Sequence, residues 1–118
     1  MKPTAINLAE KLALFSEHWS PKVVSQFNGN DIMVVKVQGE FVWHDHPETD
    51  DFFLVLDGEV TIETEDGNVI LGPGELYVVP KGKKHRPIAG NEAHILLIEP
   101  SGTPNTGDDK TAAIKQAI

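Results

Sequence analysis

Three of the five histidines in this 118-residue sequence are spaced so that they could meet on one metal ion. His44 and His46 are two residues apart, so in an extended chain both side chains point to the same face. The acidic run at 48–51 turns the chain into the next apolar segment, where a carboxylate can return beside the two imidazoles. His85 follows a second turn, Pro80-Lys-Gly-Lys-Lys, much later in the chain. A His-x-His pair alone is weak evidence, because two surface histidines can have the same spacing. The third histidine therefore strengthens the case for a metal site.

The residue types indicate which metals such a site would take. Neutral imidazole binds first-row divalent metals well, and a carboxylate adds charge and an oxygen donor. The sequence contains no cysteine, which excludes thiolate ligands, disulfides and a cysteine nucleophile. We therefore expect one divalent transition metal (zinc, nickel, iron, manganese or cobalt) held by imidazole and oxygen.

The other two histidines are expected to have structural roles. His94 lies in an alternating segment in phase with Leu96 and Ile98, which is typical of a packed histidine or one at the rim of a barrel. His18 lies near the end of a predicted helix, where a cation suits the helix dipole.

Short β-strands must position the three histidines. Runs rich in Val, Ile, Phe and Leu recur between Lys22 and Glu99, and the turn sequences Asn28-Gly29, Asp57-Gly58, Asp66-Gly67 and Pro73-Gly74 separate them. The predicted strands are 32–38, 41–46, 52–56, 60–65, 76–79 and 94–99. Many short strands without intervening helices indicate a sandwich or a closed barrel.

The two ends of the chain differ from this β region. Asn7 followed by Glu10 is a helix start, and Leu8, Leu12, Phe15 and Trp19 follow at helical spacing, ending before Pro21. The apolar stripe of this helix predicts contact with the outside of a sheet or with a partner subunit. We expect an N-terminal helical segment at 1–21, a β-barrel domain at 22–100, and a C-terminal loop and tail at 101–118.

The spacing of the histidines resembles the first motif of the cupin superfamily. That motif is glycine, about five residues, His-x-His, three or four residues, Glu, six residues and glycine. This chain has Gly39, His44, His46, Asp51 and Gly58. Gly39 is one residue closer to the histidines than the pattern expects, and Asp51 stands where the family usually has Glu.

The second cupin motif is glycine, five residues, Pro-x-Gly, two residues, His, three residues and Asn. Here Gly74, Pro80, Gly82 and His85 match, and Ala89 replaces the terminal Asn. The resemblance implies an all-β fold, a double-stranded β-helix (jelly-roll, cupin) barrel with a short N-terminal helix in front.

The resemblance also implies the metal ligands His44, His46, Asp51 and His85. Asp51 has the shorter side chain, so it is either a direct ligand or a residue that orients a bound water or a histidine. Asp50 is the rival carboxylate, although the spacing to Gly58 favours Asp51.

Residues in phase with the ligands should line a pocket. Val42, Phe53, Val55, Tyr77 and Val79 are expected to face inward. A mostly apolar cavity with a few polar groups is the usual form of a small-molecule site.

Two further groups of residues indicate what this protein binds. Phe41 and Trp43 have the opposite phase from His44 and should face outward, which together with the helix stripe predicts a homodimer. The basic residues Lys81, Lys83, Lys84 and Arg86 either attract an anionic substrate or form a solvated turn.

Charge and hydropathy exclude several classes of partner. The formal net charge of −8 argues against nucleic acid and against attachment to anionic membranes. No apolar stretch approaches the roughly 20 residues that span a bilayer, and no secretory signal is visible. We expect a soluble cytoplasmic protein.

Three functions are compatible with the sequence. The first is a metal-dependent enzyme acting on a small polar or anionic molecule, because the resemblance implies a class containing dioxygenases, isomerases, decarboxylases and lyases. The second is a non-catalytic barrel that binds or senses a sugar or an organic acid. The third is a metal-free structural barrel. The residues identify no second acid or base, so no reaction is assigned.

Overall fold

The structure is a computed structural model that describes residues 2–118. Within these residues the chain forms one short helix and eight strands. The elements are α1 Leu8–Leu12, β1 Lys22–Phe27, β2 Asn30–Glu40, β3 Asp51–Asp57, β4 Val60–Thr64, β5 Gly67–Leu71, β6 Leu76–Val79, β7 His85–Pro100 and β8 Gln116–Ala117. The all-β class predicted from the alternating apolar pattern is confirmed.

One sheet contains all eight strands in the order β5-β4-β7-β2-β1-β8, and β3 pairs with both β6 and β7. The strand pairs are antiparallel except β1 with β8, which are parallel. The hydrogen-bonded ladder is not closed into a continuous ring, so the fold is an open jelly-roll rather than a sealed barrel. Strand β7 is the longest and pairs with β2, β3 and β4, so it connects both halves of the fold.

The core lies on one face of the strands and follows their two-residue period. Alternate residues of β3 and β7 are buried, among them Phe53, Val55, Ile95 and Leu97. Each buried Val, Ile or Phe side chain stabilises the fold by roughly 1.5–3 kcal/mol relative to exposure. These buried side chains position Asp51. Asp51 lies two residues before Phe53 on β3, so its side chain points to the same buried face.

Gly58 shows why the turn after β3 needs a glycine. Its φ is +83°, and a β-carbon added there would lie 2.9 Å from the β-carbon of Ala93. Both the left-handed backbone and the close approach of β7 therefore exclude larger residues.

The N-terminal helix is shorter than predicted. Asn7 is its N-cap and accepts a hydrogen bond from the backbone N–H of Glu10 at 3.0 Å, but the helix ends at Leu12 instead of running to Pro21. Beyond Leu12 the chain bonds to the sheet instead: the backbone N–H of Trp19 donates to the Lys36 carbonyl at 2.8 Å. These tertiary hydrogen bonds replace those of a longer helix.

The predicted strand at 41–46 is also wrong. Within this segment the structure has only an isolated bridge between His44 and His85. The two-residue alternation consequently fails: Val42, expected inside, is 54% exposed, and Phe41, expected outside, lines the cavity beside His44. Sequence analysis also missed the strands β1 and β5, whose burial patterns are less regular.

The C-terminal segment packs back against the sheet. The backbone N–H of Ile118 donates to the Val23 carbonyl at 3.0 Å, and Lys11 donates to the Ile118 carbonyl at 2.9 Å. Gly107 packs so closely on the carbonyl oxygen of Asp45 that an added β-carbon would overlap it. The tail therefore lies against the segment that carries His44 and His46. The division of the chain at 1–21, 22–100 and 101–118 stays a prediction.

Candidate metal centre

Two backbone hydrogen bonds hold the first and third histidines side by side. The N–H of His44 donates to the His85 carbonyl at 3.0 Å, and the N–H of His85 donates to the His44 carbonyl at 2.9 Å. The two ring centroids are consequently 4.4 Å apart. Backbone hydrogen bonds alone therefore hold His44 and His85 next to each other, although the two residues are far apart in the sequence.

Carbonyl groups also fix the orientation of these two rings. Nδ1 of His44 lies 2.8 Å from the Val42 carbonyl, and Nδ1 of His85 lies 2.8 Å from the Lys83 carbonyl. A carbonyl only accepts, so each Nδ1 carries the hydrogen and each Nε2 has a free lone pair when the ring is neutral. This is the tautomer that a metal-binding histidine needs.

The Asp51 carboxylate is the point on which three imidazoles converge. Its Oδ2 lies 2.7 Å from Nε2 of His85, 3.2 Å from Nε2 of His46 and 3.8 Å from Nε2 of His44. One ligand atom from each of the four residues lies within 4.8 Å of the others. We call His44, His46, Asp51 and His85 the buried cluster, since none is more than 8% exposed.

Asp50, the alternative carboxylate, lies outside this cluster. It is exposed, and its Oδ1 accepts the backbone N–H of Lys81 at 3.0 Å. It therefore stabilises the turn before His85, while Asp51 enters the interior at the start of β3.

Charge within the cluster is balanced by hydrogen bonding. Burial acts to raise the pKa of Asp51, but the three imidazoles of His44, His46 and His85 that face its carboxylate outweigh this effect and hold that pKa well below its ordinary value. Burial acts to lower the pKa of His46, but the hydrogen bond and charge of Asp51 raise it overall. A proton on His46 and the negative charge on Asp51 thus stabilise each other in the absence of a metal.

One atom of the cluster has no hydrogen-bond partner. Nδ1 of His46 is fully buried and unbonded, whereas Nδ1 of the other two histidines is satisfied. Buried polar groups are rarely unpaired, and His46 therefore has the least restrained ring of the three.

A mostly apolar cavity opens from the buried cluster. His44 and Asp51 line it together with Phe53, Ile95 and Leu97. Trp19 and Phe41 stack on each other at its edge, with ring centroids 4.8 Å apart. A pocket is thus present beside the cluster, but of the residues predicted to line it only Phe53 does so, whereas Val42, Val55, Tyr77 and Val79 do not.

Two residues missed by sequence analysis belong to this cavity or support it. Glu99 lines the wall and is 3% exposed, and Nζ of Lys115 lies 2.9 Å from its Oε1. Burial raises the pKa of Glu99, and Lys115 opposes this effect. The phase shared with Ile95 and Leu97 could have identified Glu99 as inward-facing, but no local pattern pointed to Lys115 in the tail.

The remaining two histidines lie outside the buried cluster. His94 is partly buried, as expected of a histidine at the rim, whereas the predicted role of His18 at the helix end is wrong because the helix ends at Leu12. Nε2 of His18 is 2.7 Å from Oε1 of Glu92, and Nε2 of His94 is 3.2 Å from Oε2. We call His18, Glu92 and His94 the surface triad.

Two of the four basic residues around His85 are paired with nearby acids. Lys83 contacts Asp66, and Arg86 donates to Glu63 at 2.7 Å and to Glu40 at 3.2 Å. These contacts favour the interpretation that the basic residues form a solvated turn. They do not favour the alternative that these residues attract an anionic substrate.

The cupin-domain family model matches residues 31–99. Because this match covers more than half of the chain, the protein belongs to the cupin family. It is a small cupin, and this membership supports the jelly-roll assignment of its fold.

Two similar proteins match most of this chain. A cupin-2 domain containing protein from Shewanella frigidimarina NCIMB 400 is 47% identical, with a TM-score of 0.79, and the match covers 80% of this chain and 93% of that chain. The uncharacterized protein YdbB of Bacillus subtilis (strain 168) is 34% identical over 83 residues, covering 70% of this chain and 67% of YdbB.

A more distant similarity concerns the fold alone. Hydroquinone 1,2-dioxygenase PnpCD, solved in complex with Cd²⁺ and 4-hydroxybenzonitrile, is 21% identical with a TM-score of 0.72. The match covers 90% of this chain and 74% of that chain. Among residues 2–118, no helix is long and apolar enough to cross a membrane.

Proposed function

We propose that this protein binds one divalent transition-metal ion through the buried cluster and uses it to act on a small polar or anionic molecule in the adjoining cavity. The observation that carries this proposal is the convergence of three imidazole Nε2 atoms on one oxygen of Asp51. Zinc, nickel, iron, manganese and cobalt all accept this set of nitrogen and oxygen donors.

The cluster satisfies the requirements for such an ion. Its four ligand atoms are within 4.8 Å of one another, and the two bonded Nδ1 atoms leave Nε2 of His44 and His85 available. The negative charge of Asp51 offsets part of the charge of the ion. Three histidines and one carboxylate leave a position free in five- or six-coordinate geometry, and the ion would supply a Lewis acid there.

The surrounding residues have distinct roles in this proposal. Phe53, Ile95 and Leu97 exclude water from one side of the cavity, which strengthens electrostatic interactions within it. The ion with three neutral histidines and one carboxylate keeps net positive charge, which favours an anionic or oxygen-rich molecule. Hydroquinone 1,2-dioxygenase shows that a protein of this fold performs oxidative chemistry, and its similarity to this chain supports nothing beyond the fold.

Turnover distinguishes an enzyme from a barrel that only binds its ligand. Metal-loaded protein should be incubated with small carboxylates, diketones and sugar phosphates, with and without dioxygen, and the products analysed by mass spectrometry. We expect product that depends on the metal and is absent with the His85→Ala variant. A molecule bound in stoichiometric amount by calorimetry, but recovered unchanged, would instead identify a binding or sensing protein.

We also propose that the chain forms a homodimer. Trp19 and Phe41, which were expected at this interface, stack on each other instead. A dimer is supported by the exposed side chains of Ile70 on β5 and of Leu76 and Val78 on β6. A contiguous patch of exposed apolar side chains is typical of a surface that a partner covers. Light scattering should give the mass of two chains, and the mass of one chain at micromolar concentration would contradict the proposal.

A further inference from the structure

Glu99 is a buried carboxylate that the proposed metal site does not use. It lies near the end of β7, is 3% exposed and lines the same cavity as His44 and Asp51. It is not one of the four residues whose ligand atoms lie within 4.8 Å of one another. A carboxylate in this position faces the cavity from outside the coordination set.

The strand register brings Glu99 close to the buried cluster. Leu54 pairs with Leu96 and Val55 with Ile95, so β3 and β7 run side by side where the cavity begins. Asp51 at the start of β3 and Glu99 near the end of β7 both line this cavity. The Glu99 carboxylate is therefore close enough to contact a molecule bound beside Asp51.

The partner of Glu99 uses only part of its hydrogen-bonding capacity. Nζ of Lys115 lies 2.9 Å from Oε1 of Glu99 and balances its charge. An ionised carboxylate has two oxygens and about four acceptor sites, so one ion pair leaves acceptor capacity. A ligand that donates a hydrogen bond to Glu99 would use this capacity.

We propose that Glu99 selects ligands by accepting a hydrogen bond from a hydroxyl group next to the atom that binds the metal. The preferred class is the small 2-hydroxy carboxylates, in which a carboxylate oxygen binds the metal and the neighbouring hydroxyl donates to Glu99. This inference rests on the proposed metal site. Val35, Phe53 and Leu97 form an apolar wall of the same cavity and offer no acceptor there.

The test compares two probes that differ by one hydroxyl group, lactate and propionate. Binding of each is measured by calorimetry with metal-loaded wild type and the Glu99→Leu and Glu99→Gln variants, whose metal content is determined in parallel. Hydrogen bonds to charged groups correspond to about a 10–100-fold change in affinity. We expect the preference for lactate to fall by that factor in Glu99→Leu and by less in Glu99→Gln, with metal content unchanged.

Three results would overturn this assignment. The first is an equal preference for lactate in wild type and in metal-loaded Glu99→Leu, or in Glu99→Gln if the leucine variant does not fold. The second is loss of metal from Glu99→Gln, which would place Glu99 among the ligands. The third is a wild type that holds no metal, which would also refute the proposed function; the measured metal content separates this failure from the first two.

Discussion

Histidines face a carboxylate at two places in this protein, in the buried cluster and in the surface triad. Both contain a nitrogen–oxygen contact of 2.7 Å, between His85 and Asp51 inside and between His18 and Glu92 outside. The two places differ in how many nitrogens converge. Three Nε2 atoms face one oxygen of Asp51, whereas the two oxygens of Glu92 each face one histidine.

Burial separates the two groups further. Asp51 is 5% exposed, while the side chains of His18 and Glu92 are 36% and 42% exposed. Hydrogen bonds from His18 and His94 lower the pKa of Glu92, and the solvent exposure of the triad weakens these contacts. The comparison indicates that convergence and burial distinguish the candidate metal site, and that the mere presence of histidine with a carboxylate does not.

The largest expected effect separates the histidines of the two groups. Replacement of His44, His46 or His85 by Ala should each weaken metal affinity by more than about 100-fold, since even groups outside the coordination sphere contribute about 10–100-fold. His18→Ala and His94→Ala are the matched controls and should keep full metal occupancy. Metal content is measured by elemental analysis after dialysis. Equal losses of metal in variants of the buried cluster and of the surface triad would show that the two groups do not differ in metal binding.

Asp50 and Asp51 allow the comparison between an exposed and a buried carboxylate at adjacent positions. Asp51→Asn should weaken metal affinity by about 10–100-fold, because it removes the negative charge on which the histidines converge. Asp50→Asn should leave affinity unchanged, because Asp50 only accepts a backbone hydrogen bond in an exposed turn. Competitive titration against a chelator measures both, and retained affinity in Asp51→Asn would place Asp51 outside the coordination sphere.

Acid and base should affect metal-free and metal-loaded protein in opposite ways. The raised pKa of His46 gives metal-free protein a stabilisation that is complete below 6.5 and is lost as pH rises through that raised pKa. The lowered pKa of Asp51 gives a stabilisation that is present above 3.8 and is lost as pH falls through the lowered pKa. Metal binding needs deprotonated ligands, so it stabilises more as pH rises.

Thermal unfolding measures these opposite trends. The Tm of chelator-treated protein should be higher near pH 5.5 than near pH 8, and the gain in Tm from metal should grow over the same range. His18→Ala, which alters only the surface triad, should show the same trends as wild type. A gain from metal that shrinks toward pH 8 would contradict the role of the buried cluster.

The smallest effect is expected in the surface triad itself. Glu92→Gln removes the carboxylate that faces His18 and His94, but the contacts are exposed and screened by water and salt. The Tm and metal content should both match those of wild type. A marked fall in either quantity would show that the triad has a role beyond surface ion pairing.

The fold class and the residues of the buried cluster could be predicted from the sequence because their signals are local. The alternation of apolar residues through Phe53 and Val55 indicates a half-buried strand, and the spacing from His44 to Gly58 indicates one motif. The structure places His44, His46, Asp51 and His85 together, and metal binding by them stays a prediction.

Features that depend on distant contacts could not be predicted. The alternation assumed around Val42 fails because the segment after Glu40 leaves the regular ladder and returns only at the bridge between His44 and His85. The helix ends early because residues beyond Leu12 bond to β2. Lys115 reaches Glu99 only through the path of the C-terminal segment, which carries no periodic signal.

Elemental analysis of protein purified without chelator tests the central claim most directly. The account predicts close to one ion of zinc, nickel, iron, manganese or cobalt for each chain, and its loss in the His85→Ala variant. Protein that contains no transition metal, and takes none up when metal is offered at neutral pH, would contradict it.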